Sequence, residues 1–95
     1  MSSSFSVSPH IRYRVIDDEA VVVRQREGDV LVLNQVAARV LQLVGEGLSP
    51  SEISDRVAGE YEAPEATIRD DVQKFLVELE ELNVLERLPP DEDSA

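Results

Sequence analysis

Cysteine is absent from this 95-residue chain. Disulfides, thiol catalysis and cysteine-ligated zinc or iron–sulfur sites are therefore excluded. Tryptophan is also absent, and aromatic residues make up only 4% of the chain, so the core must be aliphatic. The single histidine, His10, lies beside Pro9 near the N-terminus. A lone terminal imidazole lacks the positioned partner that acid–base catalysis needs. No apolar run approaches the roughly 20 residues of a membrane-spanning helix. The opening MSSSFSVSPH has neither the basic start nor the apolar stretch of a signal peptide. A cytoplasmic protein without a membrane partner is the default expectation.

Positive charge is scarce. Nine Lys and Arg residues stand against 20 Asp and Glu, a net charge of −11. Phosphate backbones and anionic lipids reward cations, so nucleic acid and membrane surfaces are poor partners for this chain. The imbalance is local. Residues 1–47 carry 5 basic and 6 acidic residues, whereas residues 48–95 carry 4 and 14.

The apolar residues, 42% of the chain, suffice for one compact domain. Residues 1–10 are Ser-rich and are expected to form a flexible arm. From Ile11 to Ile16, apolar Ile11, Tyr13 and Val15 alternate with Arg12 and Arg14, the period of a half-buried strand. Asp17-Asp18-Glu19 reads as a turn. Ala20 to Arg26 contains three consecutive valines and reads as a second strand. Glu27-Gly28-Asp29 supplies a hairpin turn, and Val30 to Leu33 a third strand.

The apolar period then lengthens. Asn34 is a good cap for a helix to about Val44, with Val36, Ala37, Val40, Leu41 and Val44 on one face. Ser49-Pro50-Ser51-Glu52 opens a second helix through a capping box, and that helix ends near Glu60. A third helix runs from Pro64 to Leu82, with Ile68, Val72, Phe75, Leu76, Leu79 and Leu82 assigned to its core face. Asn83 suits a left-handed C-terminal position. Val84 to Glu86 reads as a short final strand, and residues 88–95, with Pro89-Pro90 and Asp91-Glu92-Asp93, as a disordered acidic tail. The fold class expected is α+β: a three-stranded antiparallel sheet followed by three helices that cover one of its faces.

Residues with reactive chemistry form no recognisable site. Asp70 and Asp71 are adjacent, so on a helix their side chains diverge by about 100°. The glycines Gly28, Gly45, Gly47 and Gly59 form no phosphate-binding loop, and no calcium loop is present. No catalytic residue, metal ligand or cofactor is assigned, and a non-catalytic binding module is expected. Two features could bind. The third strand passes directly into a helix, so it is expected at a sheet edge. Such an edge accepts an extended peptide as an added strand, or is simply kept short and charged against aggregation. Both readings stay open from the residues alone. The third helix places Asp71, Lys74 and Glu78 along one flank, beside Phe75.

Four motifs in order resemble the PqqD-like family. Leu33-Asn34-Gln35-Val36-Ala37-Ala38-Arg39-Val40-Leu41 is similar to its L-N-x-x-A-x-x-(I/V)-(L/W) signature. Gly47 to Ile53 is similar to G-x-(S/T)-x-x-E-I, and Asp71 to Leu79 to D-V-x-x-F-L-x-x-L. Asn83-Val84-Leu85 stands where the family often has G-L-(L/V), with Asn in place of Gly. The resemblance covers residues 11–87. It implies a winged-helix-like fold and a recognition domain for ribosomally made, post-translationally modified peptides. In such a domain the precursor's leader peptide docks on the third strand beside the third helix. The partners implied are that precursor and a modifying enzyme, such as a radical S-adenosylmethionine protein or a leader peptidase. Carried onto this sequence, the docking strand is Val30, Leu31, Val32 and Leu33, and the groove residues are Asp71, Lys74, Phe75 and Glu78. Leu33 and Phe75 serve equally well as plain core. The acidic second half suggests a basic or neutral leader. Two other readings remain: a small adaptor that forms a homodimer through its open strand edge, and a winged-helix DNA-binding regulator. The latter is opposed by the third helix, where Arg69 and Lys74 face six carboxylates in the same segment.

Overall fold

The computed structural model describes residues 4–88. Its elements in chain order are strands β1 (Ser4–Val7), β2 (Ile11–Ile16), β3 (Glu19–Arg24) and β4 (Asp29–Leu33), helices α1 (Gln35–Gly45), α2 (Pro50–Glu60) and α3 (Glu65–Glu81), and strand β5 (Leu85–Leu88). β2, β3 and β4 form the expected antiparallel meander, with β3 in the middle. The fold class is α+β, as the sequence suggests.

Local chemistry sets most of the boundaries. The Asn34 side chain accepts from the Ala37 amide at 3.0 Å and starts α1. Ser49 and Glu52 form a complete capping box for α2: Ser49 Oγ accepts from the Glu52 amide at 3.2 Å and Glu52 accepts from the Ser49 amide at 2.8 Å. The turn between β3 and β4 uses Gly28 at φ 76°, where a side chain is disfavoured. Asn83 adopts φ 63° after α3, and the Val84 amide then donates to Leu79 O at 2.9 Å, closing the helix end.

Residues 4–7 correct the sequence reading. They are not part of a flexible arm: Ser4, Phe5, Ser6 and Val7 pair antiparallel with Leu88, Arg87, Glu86 and Leu85. Phe5 is buried and the Arg87 guanidinium lies 4.9 Å from its ring centroid. Past the strand, the Ser8 amide donates to Val84 O at 3.0 Å. The final strand accordingly runs to Leu88, past the Glu86 end that the sequence predicts and into the first residue of the expected tail. Residues 89–95 of that tail lie outside the described residues.

The core is aliphatic. α1 is its hub, packed against α2, α3, β1, β3 and β4. Val40, Leu41, Leu43 and Val44 of α1 meet Ile53 and Val57 of α2, Ile68, Val72, Leu76 and Leu79 of α3, and Ala20, Val22 and Leu33 of the sheet. Each fully buried Val or Leu side chain contributes about 1.5–3 kcal/mol of transfer free energy. A Cβ on Gly45 would come within 2.9 Å of Tyr13 Oη, so the glycine allows the end of α1 and β2 to approach closely.

Candidate functional site

β4 is the edge of its sheet. Among the described residues it pairs with β3 alone, in the register Val23↔Val30, Val22↔Leu31, Val21↔Val32 and Ala20↔Leu33. In a ladder the amides and carbonyls of alternate residues point away from the partner strand, so half of the β4 backbone groups face outward along the sheet. The side chains divide by the two-residue period. Leu31 and Leu33 point to the helical layer, Leu31 half-buried and Leu33 only 8% exposed. Val30 and Val32 point to the opposite face, 58% and 64% exposed. Leu33 is thus a core residue at the end of the edge.

The orientation of α3 follows from its partners. Ile68, Val72, Leu76 and Leu79 enter the core. On one flank Arg69 pairs with Asp55 of α2, and Glu80 pairs with Arg87 of β5 at 3.0 Å. The other flank carries Asp71, Phe75, Glu78 and Leu82, spaced three and four apart along one stripe. Its C-terminal end meets the β3–β4 hairpin, because Arg24 Nη1 donates to Leu82 O at 2.8 Å. The same guanidinium holds Asp29, with Nε donating to Oδ1 at 2.7 Å. Asn83 Nδ2 donates to Glu27 at 3.0 Å, a second tie between hairpin and helix end. The Arg24 hydrogen bonds hold the Asp29 carboxyl below the usual aspartate range, and Asp29 in turn raises the Arg24 guanidinium.

The open β4 edge and the Asp71–Leu82 flank of α3 are the two walls of a candidate groove, tied at the hairpin end by Arg24. Phe75 is half-buried and packs on the core, leaving part of its ring on this flank. Asp71 is half-buried and Glu78 exposed. Lys74 lies one step further round and pairs with Asp70 at 3.3 Å, toward solvent. Sequence reasoning missed Arg24 and placed Leu82 in the core, whereas Leu82 is 37% exposed at the latch. Its seven-residue spacing from Phe75 is the signal that could have moved it to the groove stripe. An edge strand beside an apolar and acidic wall can hold an extended chain: backbone bonds from the edge, side-chain contacts from the wall.

A family described as coenzyme PQQ synthesis protein D (PqqD) matches residues 19–85, from the start of β3 into β5. The chain belongs to the PqqD family. Two solved structures are similar over nearly the whole domain. One is TbiB1 in complex with the TbiA(beta) leader peptide, 32% identical, covering 85% of this chain and 94% of that one, with a TM-score of 0.79. The other is a lasso peptide synthetase B1 complexed with the leader peptide, 28% identical, covering 90% and 99%, with a TM-score of 0.75. The heterocyclase TruD shares the fold at 16% identity and a TM-score of 0.66; the match covers 94% of this chain and 12% of that one. No curated protein sequence matches the chain at a significant level.

Proposed function

We propose that this PqqD-family domain is a leader-peptide recognition element of a ribosomal-peptide modification system. It binds the leader segment of a precursor as an added strand on β4 and presents the precursor to a modifying enzyme. The observation that carries this reading is the open β4 edge beside the α3 flank. The two leader-bound neighbours of the same fold support it. In this reading the leader backbone pairs with Val30 to Leu33, and its inward side chains rest against Leu31, Phe75 and Leu82. Asp71 and Glu78 set the electrostatic preference of the groove toward a basic or neutral leader. The similarity to a lasso peptide synthetase B1 favours a lasso-type system, in which the enzyme served is a leader peptidase, over a radical S-adenosylmethionine partner. The domain's own part is binding rather than catalysis.

The test is a titration of isotopically labelled protein followed by backbone amide shifts. Two probes are used: the leader segment of a short precursor peptide identified in the chain's own genome, and the TbiA(beta) leader as a reference. Shifts confined to Asp29–Leu33 and Asp71–Leu82 are expected, together with weaker binding at high salt for a basic leader. Saturating leader that leaves both stretches unmoved would sink the reading. A protein mass that doubles with concentration, with changes at β4 and no leader present, would instead favour a homodimer through the same edge.

A further inference from the structure

The face of the three-stranded sheet turned away from the helices has the wrong composition for a surface left in water. An antiparallel sheet with one solvated face ordinarily shows polar residues there. Here the register lines up two cross-strand rows, Arg12–Val23–Val30 and Arg14–Val21–Val32, with Ile16 opposite Glu19 in a third. Ile16 is 51% exposed, and together with Val23, Val30, Val32 and half-buried Val21 it puts exposed aliphatic side chains on all three strands of this face. Beside β2 this surface sinks into a shallow hollow of about 330 Å³ lined by Arg12, Arg14, Ile16, Val21 and Val23.

Its charge also contrasts with the acidic balance of the chain. Arg24, Arg39, Arg69, Lys74 and Arg87 are each paired with a carboxylate. Arg12, Arg14, Arg26 and Arg56 have no carboxylate within ion-pair distance among the described residues, and of these Arg12 and Arg14 share the outer face, both exposed. On a chain of net charge −11, two uncompensated guanidinium groups next to an apolar stripe form a positive island. Arginine beside exposed aliphatic area is a common interface composition.

We infer that the outer sheet face is a second docking surface, for a partner protein whose contact patch is apolar and fringed with carboxylates. A second copy of this chain fits it poorly. Two outer faces stacked about a two-fold axis would confront Arg12 and Arg14 with Glu19 as the one carboxylate on the face. A head-to-tail contact with the acidic α3 of another copy would be heterologous and would build a ring or a filament rather than a two-fold dimer. The surface is also continuous with the proposed leader groove, because both share β4. A strand added to β4 would project alternate side chains flush with Val30 and Val32. A partner seated on the outer face would then touch the domain and its bound peptide together.

The experiment uses two synthetic amphipathic helices, one with leucines flanked by glutamates and one with the glutamates replaced by lysines. Each is titrated into labelled protein. The glutamate peptide is expected to shift the amides of Arg12–Arg14, Val21–Val23 and Val30–Val32, and to bind at least tenfold more tightly than the lysine peptide. The Arg12→Glu/Arg14→Glu variant, checked for an unchanged melt, should reverse that preference. Equal binding of the two peptides, no shift on this face, or no reversal in the variant would overturn the proposal. Self-association with line broadening confined to the outer face would overturn it in favour of a second copy. A leader titration of the same samples reads the Asp71–Leu82 amides of α3 separately. Failure of the leader reading would therefore leave this result standing, and the reverse.

Discussion

The two faces of the β2–β3–β4 sheet are built from the same kind of residue and treated in opposite ways. Ala20, Val22 and Leu33 on the inner face are buried under the helices, while Val23, Val30 and Val32 on the outer face are open. Inside, aliphatic bulk contributes the transfer free energy that holds the domain together. Outside, the same bulk contributes little to folding, because it stays in contact with water. Residue type alone therefore does not report what a valine does; the neighbours assigned to it by register do.

A charge sharpens this contrast most. Val22→Asp places an unpaired carboxylate in the core, which costs several kcal/mol. That is comparable to the whole stability of a domain this size, so Val22→Asp should fail to melt cooperatively. Val32→Asp should still fold, as judged by circular dichroism. Truncation gives the graded version: Val22→Ala should lose about 2 kcal/mol in urea denaturation through the cavity it leaves. Val32→Ala should change stability by less than about 1 kcal/mol, within the range of strand propensity. Equal losses at the two sites would mean that the outer face is covered in solution.

The groove charges come next. Asp71→Asn/Glu78→Gln should weaken a basic leader severalfold by isothermal titration while leaving the melt unchanged. The salt dependence of binding should flatten with it. The latch gives a smaller effect with a defined sign. Because Arg24 lowers the Asp29 carboxyl, the contact contributes stability above the ordinary aspartate range and loses it as the pH falls through that lowered value. Amide protection factors at Asp29 and Asn83, taken relative to the intrinsic exchange rate at each pH, should therefore fall in acid more than in Arg24→Gln, where the latch is already gone. The smallest effect is expected at Gly45→Ala. The new Cβ meets only the Tyr13 hydroxyl, the far end of a movable side chain, so Tyr13 shifts and stability changes by a few tenths of a kcal/mol.

Some of this was legible in the residues and some was not, for physical reasons. Caps are local chemistry, so Asn34, Ser49–Glu52 and Asn83 announced their helix ends in a few letters. The meander was legible because Gly28 and the Asp17–Asp18 turn separate three short apolar runs. β1 was not: serines on either side hid Phe5, and its partner strand lies at the other end of the chain. A pairing of that separation leaves no local trace. On α3, Asp71, Phe75 and Glu78 lie on one helical stripe, a consequence of their spacing alone. Lys74 turned instead to Asp70, its i,i−4 neighbour, which a wheel without ion pairs does not distinguish. Arg24 was illegible as a latch because its partners Asp29 and Leu82 meet only after the hairpin has folded onto α3. The outer apolar face was hidden in the run Val21-Val22-Val23, whose members separate into inside and outside only once paired.

The pairing of β1 with β5 has an architectural meaning beyond the core it closes. It sets Ser4 opposite Leu88, so the chain enters and leaves the folded unit at neighbouring points. A unit with adjoining ends can be spliced into a surface loop of a larger protein, or joined to a catalytic neighbour through either end, without stretching its host. For a domain that delivers cargo to other enzymes, this makes the fold portable: delivery can be arranged by contact between separate chains or by covalent fusion, with the groove itself unchanged.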